Sequence, residues 1–465
     1  MKILLVFPPI LGEERYGKLA RAGSYLPPLG LLYLAGVLEK RHEVRIIDGS
    51  VLDITVEDMG REISSWRPDI VGVSAYTPTF YRALAIARIV KETDPRILTV
   101  LGGPHPTACP EETAGDKNVD VVVSGEGEQT FKELADAVAA SADISGIKGL
   151  YYKRDGKVFQ TPPRERISRL DELPMPARHL LDMRLYKPSV MHYKKMPAFS
   201  IMCGRGCPYK CTYCSCSKVF RGGVTLRSPE NIIAEIKYLV KEYGAREIMV
   251  WDDTFGLAKK WTLTFCELMK PLNLTWSAWM RVDLVNPEVL GKMAESGCWH
   301  ISYGVESGNQ KVLDTIKKGI TIEQIRNAFR WTHQAGMEAR GTYILGLPNE
   351  TRQTMADTVN IAIDTSADYA QFQLLTPYPG TELWDEARNY GEFAIKDFSK
   401  YTIWFPVFIP KGLTSEGLLK AHRAAYRRFY FRAGYFWQSI KKISDWGDVK
   451  RVLTGILSLL EYFYK

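Results

Sequence analysis

The chain has 465 residues, of which 46% are apolar and 25% are charged, and this ordinary globular composition excludes a disordered or collagen-like protein. No stretch reaches the roughly 18 consecutive apolar residues of a membrane-spanning helix, and Pro8 and Pro9 end the first apolar run too early for a signal peptide. The net charge of +8 is uneven, because residues 416–465 contain ten basic and four acidic residues. We therefore expect a cytoplasmic protein of about two to four domains that does not bind nucleic acid.

Residues 1–145 predict a doubly wound α/β domain with a parallel sheet. Short apolar runs alternate with segments of helical periodicity, which is typical of a sheet covered by helices on both faces. The predicted strands are residues 3–7, 44–47, 70–74, 97–101 and 119–123. The predicted helices are residues 29–40, 55–66, 80–93 and 129–140. Ligands of such sheets bind at the carboxyl ends of the strands. The candidate binding loops are therefore residues 74–77, 102–105 and 124–128.

A linker and a second α/β domain are predicted next. Residues 146–195 predict a linker that opens with a hairpin around Asp155 and Gly156. Residues 196–400 again alternate between strands and helices, and the six predicted strands are residues 199–202, 247–251, 275–278, 299–303, 338–345 and 369–374. Six β/α units favour a partial, open barrel over an eight-stranded one. Residues 401–465 predict a helical segment that is basic and aromatic.

Five of the eight cysteines lie between residues 203 and 216, after the first strand of the second domain. So short a segment rarely permits disulfide geometry, which favours a metal or cluster site. Cys207, Cys211 and Cys214 form a CxxxCxxC motif that can hold three irons of a [4Fe-4S] cluster and leave the fourth open. The spacing also permits a zinc site or a fully ligated cluster with Cys203 or Cys216 as fourth ligand.

The cysteine motif, with Tyr213 as its aromatic residue, resembles the signature of the radical SAM superfamily. Later segments follow in the order found in that superfamily: an acidic strand end at Asp252, a segment ending at Arg281, a GxES string at Glu306 and residues 341–348. The resemblance implies that Cys207, Cys211 and Cys214 ligate the cluster. It implies contacts to S-adenosylmethionine from Tyr213, Asp252, Arg281, Gly304, Glu306, Ser307 and Gly346. We interpret the other cysteines as buried apolar residues: Cys109, Cys203, Cys216, Cys266 and Cys298.

The amino-terminal sheet, fused to such a barrel, resembles the cobalamin-binding radical SAM proteins. Ser74, Gly102 and Gly103 stand where cobalamin domains have a Ser and a Gly-Gly pair, and glycine allows close approach of the cofactor tail. The implied cobalamin contacts are Ser74, Tyr76, Thr77, Gly102, Gly103, His105, Thr107, Gly125, Glu126 and Glu128. The DxHxxG string that supplies a cobalt ligand is missing from the sequence, and Tyr76 is predicted to face the cobalt instead. The glycines also fit ordinary strand-end turns.

The resemblance, which extends to hopanoid methylases and the anaerobic magnesium-protoporphyrin ester cyclase, implies a cobalamin-dependent radical SAM methyltransferase. Such an enzyme methylates an unactivated carbon through a 5′-deoxyadenosyl radical and methylcobalamin, and it requires an external electron donor of the flavodoxin or ferredoxin type. One alternative is cyclisation, ring rearrangement or carbon–carbon coupling with the same cofactors, and another is a non-catalytic corrinoid and iron–sulfur module.

The expected substrates are small molecules, in particular lipids, isoprenoids or tetrapyrroles, and a protein substrate is an alternative. Residues 416–437 predict a basic, aromatic helix. Such a helix either makes a peripheral contact with a membrane, or caps the barrel and lines a pocket for a large flat or acidic substrate, or simply packs on the barrel with solvated arginines.

Overall fold

The amino-terminal part of the chain folds into a seven-stranded sheet with helices on both faces. The computed structural model describes residues 1–17, 23–441 and 446–464. The strands are β1 Lys2–Phe7, β2 Glu43–Asp48, β3 Ile70–Ser74, β4 Leu98–Gly102, β5 Val121–Val123, β6 Leu150–Arg154 and β7 Lys157–Gln160. The helices are α1 Gly12–Tyr16, α2 Leu29–Leu38, α3 Gly49–Leu52, α4 Val56–Trp66, α5 Phe80–Thr93, α6 Pro104–Ala108, α7 Pro110–Gly115 and α8 Gly127–Ala139. The predicted doubly wound sheet is confirmed.

Helices bury both faces of this sheet, and the side chains of each strand alternate between the two faces. Ile3 and Leu5 of β1 pack into one core with α2 and α8, whereas Leu4 and Val6 pack into a second core with α4 and α5. The strand order is β2-β1-β3-β4-β5-β6-β7, with β1 to β5 parallel. The chain reverses its direction of winding between β1 and β3. That reversal opens a crevice at the carboxyl ends of these two strands.

The predicted hairpin forms, and it pairs with the first sheet. Its strands β6 and β7 add to β5 in antiparallel orientation. Hydrophobic periodicity does not specify which strand a hairpin joins, so this pairing was not predicted. It covers the edge of β5, next to one of the candidate binding loops.

The second domain is built on six parallel strands. Its strands are β8 Ala198–Ile201, β9 Gly204–Arg205, β10 Thr225–Leu226, β11 Glu247–Phe255, β12 Thr275–Met280, β13 Cys298–Glu306, β14 Glu338–Leu345, β15 Tyr369–Leu374, β16 Gly391–Phe393 and β17 Phe408–Pro410. Its helices are α9 Cys216–Val219, α10 Pro229–Tyr243, α11 Lys259–Met269, α12 Pro287–Glu295, α13 Gln310–Thr315, α14 Ile322–Gln334, α15 Arg352–Asp364 and α16 Glu382–Tyr390. The six strands pair in the order β8-β11-β12-β13-β14-β15. This is the predicted partial barrel.

Strand β11 is longer than predicted. The apolar run ends near residue 251, but β11 continues to Phe255, which pairs with Met280 of β12 after an irregularity in the register. Asp252 and Asp253 therefore lie within the strand rather than beyond its end. This placement brings both carboxylates beneath the cysteine-rich loop.

The carboxyl-terminal segment forms three helices: α17 Ser415–Tyr430, α18 Ala433–Lys441 and α19 Trp446–Tyr464. Helix α17 packs on β15, where His422 Nε2 and Tyr426 OH both donate to the carbonyl of Phe372, at 3.0 and 3.1 Å. Packing on the barrel was one of the predicted placements of this segment. It is confirmed for the buried face of α17. Within the described ranges, no helix combines the length and hydrophobicity needed to cross a bilayer.

Candidate functional site

The cysteine-rich loop follows β8 and is fixed by backbone hydrogen bonds. Cys203 N–H donates to Asp252 Oδ1 at 2.7 Å, and Gly206 N–H donates to Asp253 Oδ2 at 3.0 Å. Further along, Thr212 N–H donates to the carbonyl of Ile316 at 3.0 Å. The protein therefore holds the loop before the CxxxCxxC motif and within it by contacts that do not involve the thiols.

The three cysteines of the motif are partly accessible, in contrast to most of the other cysteines. Cys207, Cys211 and Cys214 are half-buried and free of disulfides. Burial raises the pKa of the Cys211 thiol and raises that of Cys214 to about 11. Since iron binds thiolates, loading of the site would release protons. Three accessible soft ligands in a fixed loop fit an iron–sulfur cluster.

The remaining cysteines are buried, with one exception. Cys203 is fully buried in the barrel core, and Cys216, Cys266 and Cys298 are also buried. The interpretation was wrong for Cys109, which is half-buried. A ligand atom of Cys109 lies within 4.8 Å of a ring nitrogen of His105 and of a carboxylate oxygen of Glu112. This environment arises because α6 and α7 place the three residues on one side, which a single cysteine in the sequence does not indicate.

A buried ion pair lies beside the motif. Glu306, at the end of β13, accepts a hydrogen bond from Lys318 Nζ at 2.8 Å, and Lys318 Nζ is 3.3 Å from the hydroxyl of Tyr213. A Cβ at Gly304 would lie 2.7 Å from Glu306 Oε1, so a larger residue there would displace the ends of the paired side chains. Glu306 itself has a φ of +67°, a conformation that is uncommon for a residue other than glycine. The sequence analysis assigned no role to Lys318, whereas in the structure its ammonium group pairs with the Glu306 carboxylate.

Arg281 also lies against the motif. Its guanidinium stacks on the ring of Tyr209, 3.5 Å from the centroid, and forms two hydrogen bonds with Asp283 at 2.9 and 3.1 Å. Nη2 donates to the carbonyl of Lys318 at 2.8 Å, and Nη1 is 3.9 Å from Cys211 Sγ. Nη1 is thus the group that remains to meet an anion near the cysteines. The predicted contact of Arg281 with the carboxylate of S-adenosylmethionine stays a prediction.

Two other residues that were predicted to contact S-adenosylmethionine, Ser307 and Asp252, form hydrogen bonds that hold protein segments in place. Ser307 is fully buried, and its hydroxyl lies 3.2 Å from Thr358 Oγ1 and accepts from Asn309 N–H at 3.2 Å. Asp252 uses one oxygen for the cysteine loop, and its Oδ2 has no hydrogen-bond partner among the described residues. Burial raises the pKa of the Asp252 carboxyl from 3.8 to about 7. Direct contacts of both residues with the cofactor stay predictions.

Gly346 ends β14 in a turn held by a buried acid. With a φ of +88°, Gly346 adopts a backbone conformation that residues other than glycine rarely adopt. Its N–H donates to Glu350 Oε2 at 2.6 Å, and Leu347 N–H donates to the same oxygen at 3.0 Å. Burial raises the pKa of the Glu350 carboxyl from 4.5 to about 8. Glu350 was not predicted, since its role depends on a turn that brings it back onto the strand end.

The raised pKa of Glu350 gives a testable pH dependence. The folded protein holds this proton up to about pH 8 and the unfolded chain releases it near 4.5, so Glu350 makes the free energy of unfolding fall as pH rises through that window. We expect Glu350→Gln to gain stability relative to the wild type between about pH 5 and 9. Urea denaturation at both pH values measures the change. The exposed Glu386→Gln is the control, and a constant difference between wild type and Glu350→Gln would contradict the assignment.

The carboxyl edge of the first sheet contains three glycines with different surroundings. A Cβ at Gly103, whose φ is +97°, would lie 2.9 Å from Ser74 Oγ, so the packing of β3 against β4 requires this glycine. A Cβ at Gly102 would meet only Val123, at 3.6 Å or more, and one at Gly125 would have nothing within 4 Å. The protein therefore leaves open space beside Gly102 and Gly125. A flat cofactor could approach the backbone there, which fits the predicted cobalamin site.

The other residues predicted at this edge differ in accessibility. Tyr76 is 48% exposed and packs edge-on against Phe7, with ring centroids 5.7 Å apart, at the crevice between β1 and β3. His105 is buried, with Nδ1 3.1 Å from Thr77 Oγ1 and its ring 4.0 Å from that of Phe80. Burial lowers the pKa of the His105 imidazole from 6.5 to about 4. Tyr76 can face a bound cofactor as the structure stands, whereas His105 is enclosed by protein.

A buried ion triad joins the first sheet to the cysteine-rich loop. Arg205 of the loop donates to Glu126 Oε1 at 2.8 Å and to Glu128 Oε1 at 2.6 Å. Close by, Thr107 Oγ1 accepts from the N–H of Gly125 at 3.0 Å. Glu126 and Glu128 thus bind the second domain, and their predicted contacts with cobalamin stay predictions. The triad places the open sheet edge next to the cysteine motif.

Two family models match the chain: a B12 binding domain at residues 18–135 and the Radical SAM superfamily at residues 201–362. The chain is 40% identical over 460 residues to an uncharacterized methyltransferase of Pyrococcus horikoshii, with 98% of each chain covered. It is 32% identical over 447 residues to the anaerobic magnesium-protoporphyrin IX monomethyl ester cyclase of Rubrivivax gelatinosus, covering 94% of this chain and 78% of the relative. The chain belongs to the cobalamin-binding radical SAM superfamily.

Solved structures share the fold of this radical SAM enzyme. The methyltransferase TsrM of Kitasatospora setae, with cobalamin and a [4Fe-4S] cluster bound, matches with a TM-score of 0.69 and 17% identity, covering 92% of this chain and 88% of TsrM. The cobalamin-dependent enzyme OxsB matches with a TM-score of 0.72 and 16% identity, covering 99% of this chain and 72% of OxsB. The predicted cofactors, a [4Fe-4S] cluster, S-adenosylmethionine and cobalamin, are confirmed by the family.

Proposed function

We propose that this radical SAM enzyme is a cobalamin-dependent methyltransferase that methylates an unactivated carbon. The observation that carries the proposal is the Arg205 triad, which fixes the open edge at Gly102 and Gly125 beside the Cys207–Cys211–Cys214 loop. Methyl transfer to a carbon radical requires that both cofactors reach the same atom. The methyltransferase of Pyrococcus horikoshii, similar over almost its whole length, supports this choice.

The chain's own residues bind and orient the reacting groups. When bound, the cluster with S-adenosylmethionine supplies hydrogen-atom abstraction, and cobalamin supplies the methyl group. Cys207, Cys211 and Cys214 would hold the cluster, and Arg281 Nη1 would orient a carboxylate next to it. Tyr76, exposed at the sheet edge, would face the cobalt. Electrons would come from an external donor of the flavodoxin or ferredoxin type.

The proposed substrates are small, largely apolar molecules such as lipids, isoprenoids or tetrapyrroles, with a protein as the less favoured choice. The relative from Rubrivivax gelatinosus acts, by its name, on magnesium-protoporphyrin IX monomethyl ester. That same relative favours one second candidate, in which the enzyme cyclises or couples carbons without net methyl transfer. Both candidates use the same site and differ in their products.

Product analysis separates these functions. Anaerobically purified enzyme, supplied with corrinoid, reductant and a candidate substrate, is expected to form 5′-deoxyadenosine and S-adenosylhomocysteine in similar amounts together with a methylated product. If 5′-deoxyadenosine forms without S-adenosylhomocysteine, the cyclase or coupling reaction replaces the methyltransferase. If Cys207→Ala changes only stability and neither product ever forms, the protein is a non-catalytic corrinoid module.

The open space at Gly102 provides a separate test of the cobalamin site. We expect Gly102→Ala to fold like the wild type, because the new Cβ has only ordinary contacts, and to bind cobalamin about tenfold or more weakly, because the methyl group enters the cofactor's space. Corrinoid titration followed by absorbance measures the affinity. The matched control is Gly115→Ala at the end of α7, where a new Cβ is likewise free of close contacts and has nothing within 4 Å. Equal affinities in the two variants would contradict this placement of cobalamin.

A further inference from the structure

The carboxyl-terminal helices carry a concentration of exposed apolar side chains. Seven of the seventeen exposed large apolar side chains of the described residues lie between residues 431 and 460. We call them the C-terminal apolar face: Phe431, Phe436, Trp437, Leu453, Ile456, Leu457 and Leu460, which are 39–63% exposed. Scattered apolar residues are normal on a protein surface, whereas a contiguous apolar patch is typical of a contact surface.

Helix α19 presents a continuous part of this face. Leu453, Ile456, Leu457 and Leu460 follow one another at spacings of three, one and three residues, which aligns them along one side of the helix. The other side is anchored, since Tyr462 OH lies 2.8 Å from His422 Nδ1 of α17. Helix α19 is therefore seated on the protein by one side while its leucine-rich side remains uncovered by the described residues.

Basic side chains border the apolar face. The ring of Phe431 contacts that of Phe463 of α19, with centroids 5.3 Å apart, so the face continues from α19 to the end of α17. On α17, exposed Arg427 lies one turn before Phe431, and exposed Arg423 lies one turn further back. The segment 416–465 carries six more positive than negative charges. An apolar face bordered by arginines complements a surface that is negatively charged outside and apolar beneath.

We propose that the C-terminal apolar face binds the surface of an anionic lipid bilayer. Its aromatic residues and leucines would enter the boundary between headgroups and acyl chains, while Arg423 and Arg427 would meet the lipid phosphates. The helices would lie in the plane of the membrane surface. The proposal is independent of the reaction that the enzyme catalyses, although it would give the enzyme access to an apolar substrate.

Vesicle flotation of the full-length protein tests the proposal. We expect the wild type to float with vesicles of phosphatidylcholine and phosphatidylglycerol, and the double variant Leu453→Glu/Leu457→Glu to lose affinity by about tenfold or more, because two carboxylates would enter the apolar layer. The matched control is Leu52→Glu, because Leu52 of α3 is 46% exposed and Leu457 is 45% exposed. Circular dichroism melting and corrinoid binding of each variant show that the fold is retained.

The proposed contacts of Arg423 and Arg427 with lipid phosphates are tested separately. The variant Arg423→Gln/Arg427→Gln is expected to weaken binding to anionic vesicles by about fivefold per arginine and to leave the weak binding to pure phosphatidylcholine unchanged. Failure of the wild type to float, or equal flotation of Leu453→Glu/Leu457→Glu and Leu52→Glu, would overturn the proposal. A dimer by light scattering that buries this face and excludes vesicles would assign it to a second copy instead. Formation of 5′-deoxyadenosine without vesicles is measured in parallel, so that loss of membrane binding and loss of the proposed function are distinguishable.

Discussion

Cys211→Ala is expected to yield a folded protein that loses its iron–sulfur cluster and all radical chemistry. The loop is held by backbone bonds, such as that from Thr212 to Ile316, and these do not depend on the thiol. Three thiolates ligate three irons of a four-iron cluster, and removal of one leaves two irons without protein ligands. Iron and sulfide content per chain, together with 5′-deoxyadenosine formation, measure the effect.

Cys266→Ala provides the control for that variant. Cys266 is buried in the barrel core on α11 and is free of any disulfide. The control is expected to keep its iron and its activity while losing some stability through the lost packing. Wild-type iron content in Cys211→Ala would contradict the assignment of the cluster ligands.

Glu235→Gln is expected to lower the free energy of unfolding by about 3–5 kcal/mol, because it leaves two guanidinium groups buried without a counter-charge. Glu235 of α10 is fully buried between Arg178 of the linker and Arg227, at 2.7 and 2.5 Å. The contact with Arg178 Nη1 is an ion pair without hydrogen-bond geometry. Arg227 Nη1 also lies 3.3 Å from the hydroxyl of Tyr33 of the first domain. The cluster thus connects the linker, the barrel and the first domain.

Chemical denaturation of Glu235→Gln and of Glu242→Gln, an exposed substitution on the same helix, measures this contribution. We expect the second variant to lie within about 0.5 kcal/mol of the wild type, since its exposed pair with Lys241 contributes little. A Glu235→Gln protein as stable as the Glu242→Gln protein would show that the two arginines find other partners.

The fold could be predicted because its strands and helices have clear periodicity. Along β1, apolar residues facing alternate cores produce the continuous run of residues 3–7, and the strand–helix alternation that follows indicates a parallel sheet. The length of strand β11 was underestimated because Asp252 and Asp253 interrupt its apolar run. One oxygen of each carboxylate accepts a hydrogen bond from an N–H group of the cysteine loop, a tertiary contact that local sequence does not contain.

The candidate site could be predicted only where its residues form a motif of fixed spacing. The CxxxCxxC cysteines have a fixed spacing, so the cluster ligands could be predicted from the motif alone. Arg205, Lys318 and Glu350 were missed because each acts on a partner brought near by the fold: Glu126 at 2.8 Å, Glu306 at 2.8 Å and the turn at Gly346. A buried charged residue of this kind can be identified only from its partners in the folded structure, because its neighbours in the sequence do not indicate them. The same reason explains why Glu126 and Glu128 were read only as cofactor contacts.

The open iron site is tested by electron paramagnetic resonance of the reduced, anaerobically reconstituted full-length enzyme with and without S-adenosylmethionine. A cluster held by Cys207, Cys211 and Cys214 has one iron without a protein ligand, so we expect S-adenosylmethionine to shift the signal of a four-iron cluster. A signal that S-adenosylmethionine leaves unchanged, or zinc bound in place of iron, would contradict this expectation.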